Sequence, residues 1–193
     1  MKNKILYFCG IDSSFMTRWQ LFHIIPELEK IGYDIEIFNP FEFNSIKELN
    51  SSWIKKLKNN EYNIIMNCHG DNVFNETCRD SLANISVPKI LICFDNLQDP
   101  YMHKSNYKYF DITWITSKEN SNIISNLGAN KIIYLPYGAC ENLDLDFNNN
   151  LIYSNLFVGT PYGVRKRYLH KLINKGHNLD IYCPSLNVSN IDS

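Results

Sequence analysis

The segment Leu156–Pro184, LFVGTPYGVRKRYLHKLINKGHNLDIYCP, decides how the chain is read. LFVG is a short apolar run closed by Gly159, TPYG is a turn, and a helix starts near Tyr162 or Val164. Tyr168, Leu169, Leu172 and Ile173 fall at helical spacing and are expected on its buried face. Gly176 ends the helix and LDIYC gives a second strand. The segment is therefore one strand–helix–strand unit of a parallel sheet. Between Phe147 and Leu179 there is no Asp or Glu, while Arg165, Lys166, Arg167, Lys171 and Lys175 all lie inside. Backbone N–H groups at the helix start, with Arg165 and Lys166, make a cradle for a diphosphate; the plainer reading is a solvated basic face.

The same alternation runs upstream. KILYFCG is a buried strand, with Asp12, Ser13 and Ser14 as caps for the next helix. That helix carries Leu21, Ile24, Ile25, Leu28 and Ile31, is kinked at Pro26 and stops at Gly32. YDIEIFNP is a strand. The stretch SIKELNSSWIKKLKNN is a helix with Ile46, Leu49, Trp53, Ile54 and Leu57 on its apolar side. Strands follow at YNIIMNCHG, PKILICFDN, DITWITS and KIIYLPYG, with helices through VFNETCRDSLANI and KENSNIISNL and an irregular piece at DPYMHKSNYKYF. Strands apolar along their length, alternating with helices, define a doubly wound parallel Rossmann-like α/β sheet. The expected organisation is a first domain over 1–140, an acidic, Asn-rich linker over 141–152, and one βαβ unit of a second, incomplete domain over 153–193.

With 19 basic and 20 acidic residues in 193, the net charge of −1 gives no global attraction to nucleic acid or anionic membrane. No apolar run reaches the ~18 residues of a membrane span. The six cysteines show no paired spacing and are read as reduced thiols of a cytoplasmic protein. Cys68, His69, Asp71 and Cys78 are metal-ligand types, but their spacing fits no zinc pattern. The pair Asp144 and Asp146 lacks a preceding apolar strand and reads as solvated linker. No dinucleotide fingerprint and no P-loop occurs, which disfavours a nicotinamide enzyme and a P-loop NTPase.

In open parallel sheets ligands bind outside the carboxyl ends of the strands. The candidates there are Gly10, Asp12, Ser13 and Ser14 after the first strand, and His69, Gly70 and Asp71 after the third. Asp95, Asn96 and Asp99 follow the fourth, and Tyr137 and Gly138 the last. Each could equally be a turn or cap residue. His69 is a candidate to take a proton from a hydroxyl, with Asp71 or Asp95 fixing its tautomer, and Asp95 is a candidate binder or base.

In order, ILYFCG with LEKIGYDIEIFNP, ILICFDNLQDP, YFDITWITSKENSNIISNLGANKIIYLPYGAC and LFVGTPYGVRKRYLHKLINKGHNLDIYCP resemble bacterial GT-B glycosyltransferases, in particular the group around spore-maturation proteins and related cell-surface sugar transferases. The likeness covers nearly the whole chain but only the first half of such an enzyme. It implies an acceptor-side N-terminal domain, a nucleotide diphosphate sugar bound by the C-terminal one, transfer to a glycan or other hydroxyl acceptor, and no bound metal or other cofactor. By position Gly159, Thr160, Arg165 and Lys166 match the element that grips the donor diphosphate; many members have an Arg where this chain has Thr160. Gly10, Asp12, Ser13, Asp71 and Asn96 fall on the acceptor side, with His69 and Asp95 as catalytic candidates. The acidic residues that hold the donor ribose in these enzymes have no counterpart before Ser193. A second expectation is a non-catalytic α/β module binding a carbohydrate or a partner chain; a flavodoxin-like or receiver domain is disfavoured because no Ser/Thr-rich phosphate loop follows the first strand. A βαβ unit cannot bury both its faces, so it is expected to dock on the first domain, on a second copy in a homodimer, or on a missing C-terminal half.

Overall fold

The computed structural model describes residues 3–12, 14–59, 61–138, 154–161 and 163–183. They divide into two compact units, 1–143 and 144–193. The linker expected over 141–152 and the Asp144–Asp146 pair lie outside the described residues, as do Ser13, Cys140 and Tyr162.

The first unit is a six-stranded sheet in the order β2-β1-β3-β4-β5-β6. Its strands are β1 (Asn3–Phe8), β2 (Tyr33–Phe38), β3 (Ile64–Asn67), β4 (Lys89–Cys93), β5 (Ile112–Ile115) and β6 (Lys131–Tyr134), and every pairing is parallel. β1 moves to β2 on one side and the chain then returns past β1 to β3. The order therefore reverses between β1 and β3, which opens a crevice at their carboxyl ends.

Side chains alternate across the sheet, so each strand feeds two cores. Leu6, Phe8, Ile65, Leu91, Cys93 and Ile115 pack with Leu49, Trp53 and Leu57 of α3 (Ile46–Lys58), Cys78 of α4 (Glu76–Asp80) and Ile124 of α5 (Ser121–Asn126). Trp53 is fully buried and satisfies its indole N–H on the Cys78 carbonyl at 3.2 Å. Ile5, Tyr7, Cys9, Met66 and Ile92 form the opposite core with Ile24 and Ile25. The crossover on that face is α1 (Phe15–Trp19), a π-helical turn over Gln20–Ile24, and α2 (Ile25–Lys30). The wide turn sits immediately before Pro26, which lacks the N–H that a continuous α-helix needs there. The expected kink is thus a local widening. In α3, Leu49, Trp53 and Leu57 are buried as the spacing requires, whereas Ile46, at the first position, is exposed.

The second unit pairs β7 (Leu156–Val158) with β8 (Asp180–Tyr182) in parallel, joined by α6 (Val164–Asn174). Of the four residues expected on the buried face of α6, Leu169 is buried; Tyr168, Leu172 and Ile173 are exposed.

Candidate functional site

At the β1/β3 crevice the structure holds a cavity of about 300 Å³. Its wall includes Gly10, Asp12, Ser14, His69, Asp95 and Asp99, so six candidates from three different strand ends meet in one place. Asp99, Gln98, Met102 and His103 close it from the segment after β4. Thr17 and Gln20 from the first crossover complete it.

Asp12 accepts from the Ser14 backbone N–H at 2.9 Å and from the Thr17 hydroxyl at 2.6 Å. Those hydrogen bonds hold its carboxyl down at about 2, so it is an anion at any ordinary pH. His69 is fixed at both ends of its residue. Asn67, wholly buried, receives the His69 backbone N–H at 3.0 Å and donates to the His69 carbonyl at 2.9 Å. The ring Nε2 accepts the Gly10 backbone N–H at 2.7 Å. A nitrogen that faces an N–H donor carries no proton, so neutral His69 keeps its proton on Nδ1. Gly10, rather than Asp71 or Asp95, therefore sets the tautomer. Burial lowers the pKa of His69 to about 4, with Asp12 acting weakly in the opposite sense.

Asp95 stands at the end of β4 with φ of 55°, among the described residues the one non-glycine in the left-handed region. Such a backbone costs on the order of 1 kcal/mol and is found where a side chain has to be aimed. The side chain is exposed and accepts the Tyr137 hydroxyl at 3.1 Å. Tyr137 in turn stacks on Phe94 and meets Trp19 edge-on, which ties the end of β6 to this corner.

Two other acceptor-side candidates do not face the cavity. Asn96 is buried: its Oδ1 takes the backbone N–H groups of Thr116 and Ser117, each at 2.9 Å, and its Nδ2 donates to the Ser117 carbonyl at 2.8 Å. It staples the loop after β4 to the end of β5. Asp71 accepts the Ser105 N–H at 2.8 Å and braces the segment that carries His103. Ser13 lies outside the described residues.

His103 is absent from the sequence-based candidates. It is 1% exposed, it lines the cavity, and among the described residues its Nδ1 has no hydrogen-bond partner. Burial again lowers its pKa to about 4, so the ring is neutral. It comes from the irregular stretch DPYMHKSNYKYF, where no periodicity marks a buried position. A larger apolar groove of about 710 Å³ crosses the sheet face carrying Ile5, Met66 and Trp114, away from these groups.

In the second unit, Gly159 has φ of 141° and Gly163 φ of 56°, so both turns flanking the start of α6 need glycine. No side chain caps α6 and no acidic residue occupies its first turn. Arg165 reaches back to the Thr160 carbonyl at 3.4 Å, which places Thr160 and Arg165 together; the Gly159 N–H is used by the Tyr182 carbonyl at 3.0 Å. Lys166 follows on the same turn.

The fold is that of GT-B-type proteins. The chain aligns over 98% of its length with the S. aureus MnaA–UDP co-structure, at 13% identity and a TM-score of 0.51, covering 64% of that chain. It aligns over 98% with Acinetobacter baumannii MurG, at 11% identity and a TM-score of 0.53, covering 61% of that chain. It thus spans less than two thirds of either neighbour. No protein-family model matches the sequence. No curated protein matches it significantly. Among the described residues no helix is long and apolar enough to cross a membrane.

Proposed function

We propose that the chain is the acceptor-side domain and the start of the donor-side domain of a glycosyltransferase that moves a sugar from a nucleotide diphosphate sugar to a hydroxyl acceptor. The observation that carries this reading is the separation of charge. The cavity of the first unit presents Asp12, Asp95 and Asp99 and no Lys or Arg, whereas the first turn of α6 presents Arg165 and Lys166 and no carboxylate. A diphosphate is repelled by the first surface and attracted by the second; a hydroxyl acceptor is suited to the first. A neighbour solved with UDP is consistent with the donor assignment.

In this reading Asp95 accepts the proton of the acceptor hydroxyl as its oxygen bonds to the anomeric carbon. The bond from that carbon to the diphosphate breaks, and its electron pair leaves on the diphosphate oxygen. Arg165, Lys166 and the N–H groups at the start of α6 stabilise the charge gathered there. With Nε2 taken by Gly10, His69 serves as a hydrogen-bond donor through Nδ1, orienting the acceptor. We further propose the domain limits 1–140 and 153–193 and a reaction that needs no metal.

A second reading, a carbohydrate-binding module without catalysis, is favoured by one feature: the Gly159 N–H is already bonded within the unit and Thr160 adds no charge, so the diphosphate grip is incomplete. Calorimetric titration with UDP and GDP tests the first reading. It expects binding that is lost in Arg165→Ala and kept in Asp95→Asn; absence of binding by either nucleotide at millimolar concentration would contradict it.

A further inference from the structure

The cavity wall at the β1/β3 crevice is one-sided in its charge: it carries three carboxylates and no Lys or Arg. Asp12, Asp95 and Asp99 are acceptors only, and they come from the loops after β1 and β4. His69 offers its Nδ1 N–H, and three other donors beside the carboxylates are engaged within the protein. The Gly10 N–H goes to His69, the Thr17 hydroxyl to Asp12 or the Gly10 carbonyl, and the Gln20 amide to the Met16 carbonyl. The independent observation is His103. Its imidazole is 1% exposed on this wall, and among the described residues its Nδ1 has no hydrogen-bond partner. A buried polar atom without a partner carries a cost that a polar group of a ligand would relieve. Three carboxylates thus face the cavity with no Lys or Arg on its wall, and the occupant has to bring the compensating charge.

Among the described residues no group of three His, Cys, Asp or Glu side chains is disposed to hold a metal ion. Phe94, Met16 and Met102 on the same wall give apolar surface for a carbon skeleton. We infer that the occupant is a hydroxylated amine, an amino sugar or amino alcohol whose protonated ammonium sits among these carboxylates and whose hydroxyls meet the remaining acceptors. The inference rests on reading this cavity as the acceptor side, and it narrows the acceptor to a cationic one.

The test compares glucosamine, glucose and N-acetylglucosamine as probes of the whole chain at low salt, by calorimetry and by the histidine ring resonances. Glucosamine is expected to bind about ten-fold or more tightly than the two neutral sugars, because only it carries the charge. Its affinity is expected to fall with added salt and by several-fold in Asp99→Asn, an exposed position whose change leaves the fold intact. The ring resonances of His103 should move on addition of glucosamine. Equal affinity for all three sugars, or no binding by any of them, overturns the inference. UDP titration of the same sample separates the two ideas: retained UDP binding with no preference for glucosamine sinks the cationic acceptor and leaves the transferase reading standing.

Discussion

The backbone N–H of Gly10, at the end of β1, donates to Nε2 of His69, at the end of β3, at 2.7 Å. This bond spans the point where the strand order reverses, so it both closes the top of the sheet and fixes how His69 faces the cavity. It also explains why a glycine stands there. A Cβ on Gly10 would lie 2.9 Å from the His69 Nε2 and closer still to the Phe41 ring.

Gly10→Ala is therefore expected to destabilise the protein by about 1–3 kcal/mol, the usual cost of forcing a methyl group into a filled space. Urea unfolding measures the loss. Because the methyl crowds both the Phe41 ring and the imidazole packed against it, the His69 ring resonances should shift more than those of His103.

The two histidines set an acid limit on stability. Their folded pKa values of about 4 lie below the ordinary 6.5, so the unfolded chain binds protons that the folded chain refuses. Stability is whole above pH 6.5, declines between about pH 6.5 and 4, and levels off below that for these groups. Each contributes on the order of 3 kcal/mol across that window. Urea midpoints measured from pH 8 to 4 check the direction, and His69→Gln should make the slope shallower.

Asp95 allows backbone strain to be separated from side-chain chemistry. With φ of 55°, a Cβ is a burden and a glycine is not. Asp95→Gly is expected to be more stable than Asp95→Ala by about 1 kcal/mol. Equal stability of the two variants in thermal melts would show that the strained backbone carries no cost.

The order and type of the strands were legible because each is a short apolar run bounded by Gly, Pro, Asp or Asn, and a parallel sheet buried on both faces needs just such runs. The meeting of Gly10, Asp12, His69 and Asp95 was legible for the same reason: strand ends of one parallel sheet share an edge. Their hydrogen bonds were not. The bond that sets the His69 tautomer joins residues 59 positions apart, and the role of Asn96 as a staple depends on β5 lying beside β4. His103 had no signal, because its burial comes from an irregular segment held on Asp71 rather than from any repeat.

Glu36 anchors the amino-terminal side of the sheet. Burial alone would raise its pKa, but hydrogen bonds from Lys56, Lys4 and Tyr62 outweigh it and hold the carboxyl at about 2. This contribution is present above the ordinary value of 4.5 and is lost as pH falls from 4.5 towards 2, below the histidine window. Glu36→Gln is expected to cost about 1 kcal/mol at neutral pH, the scale of a partly exposed ion-pair network, and less at pH 3. Urea unfolding at the two pH values measures it.

The central claim is that donor diphosphate and acceptor are held by different units of the chain. Backbone amide shifts recorded while UDP is added test it most directly. The account expects shifts at Gly159, Thr160 and Val164–Lys166, with Gly10, His69 and Asp95 unmoved. Shifts at Gly10 and His69 with none along 159–166 would contradict it.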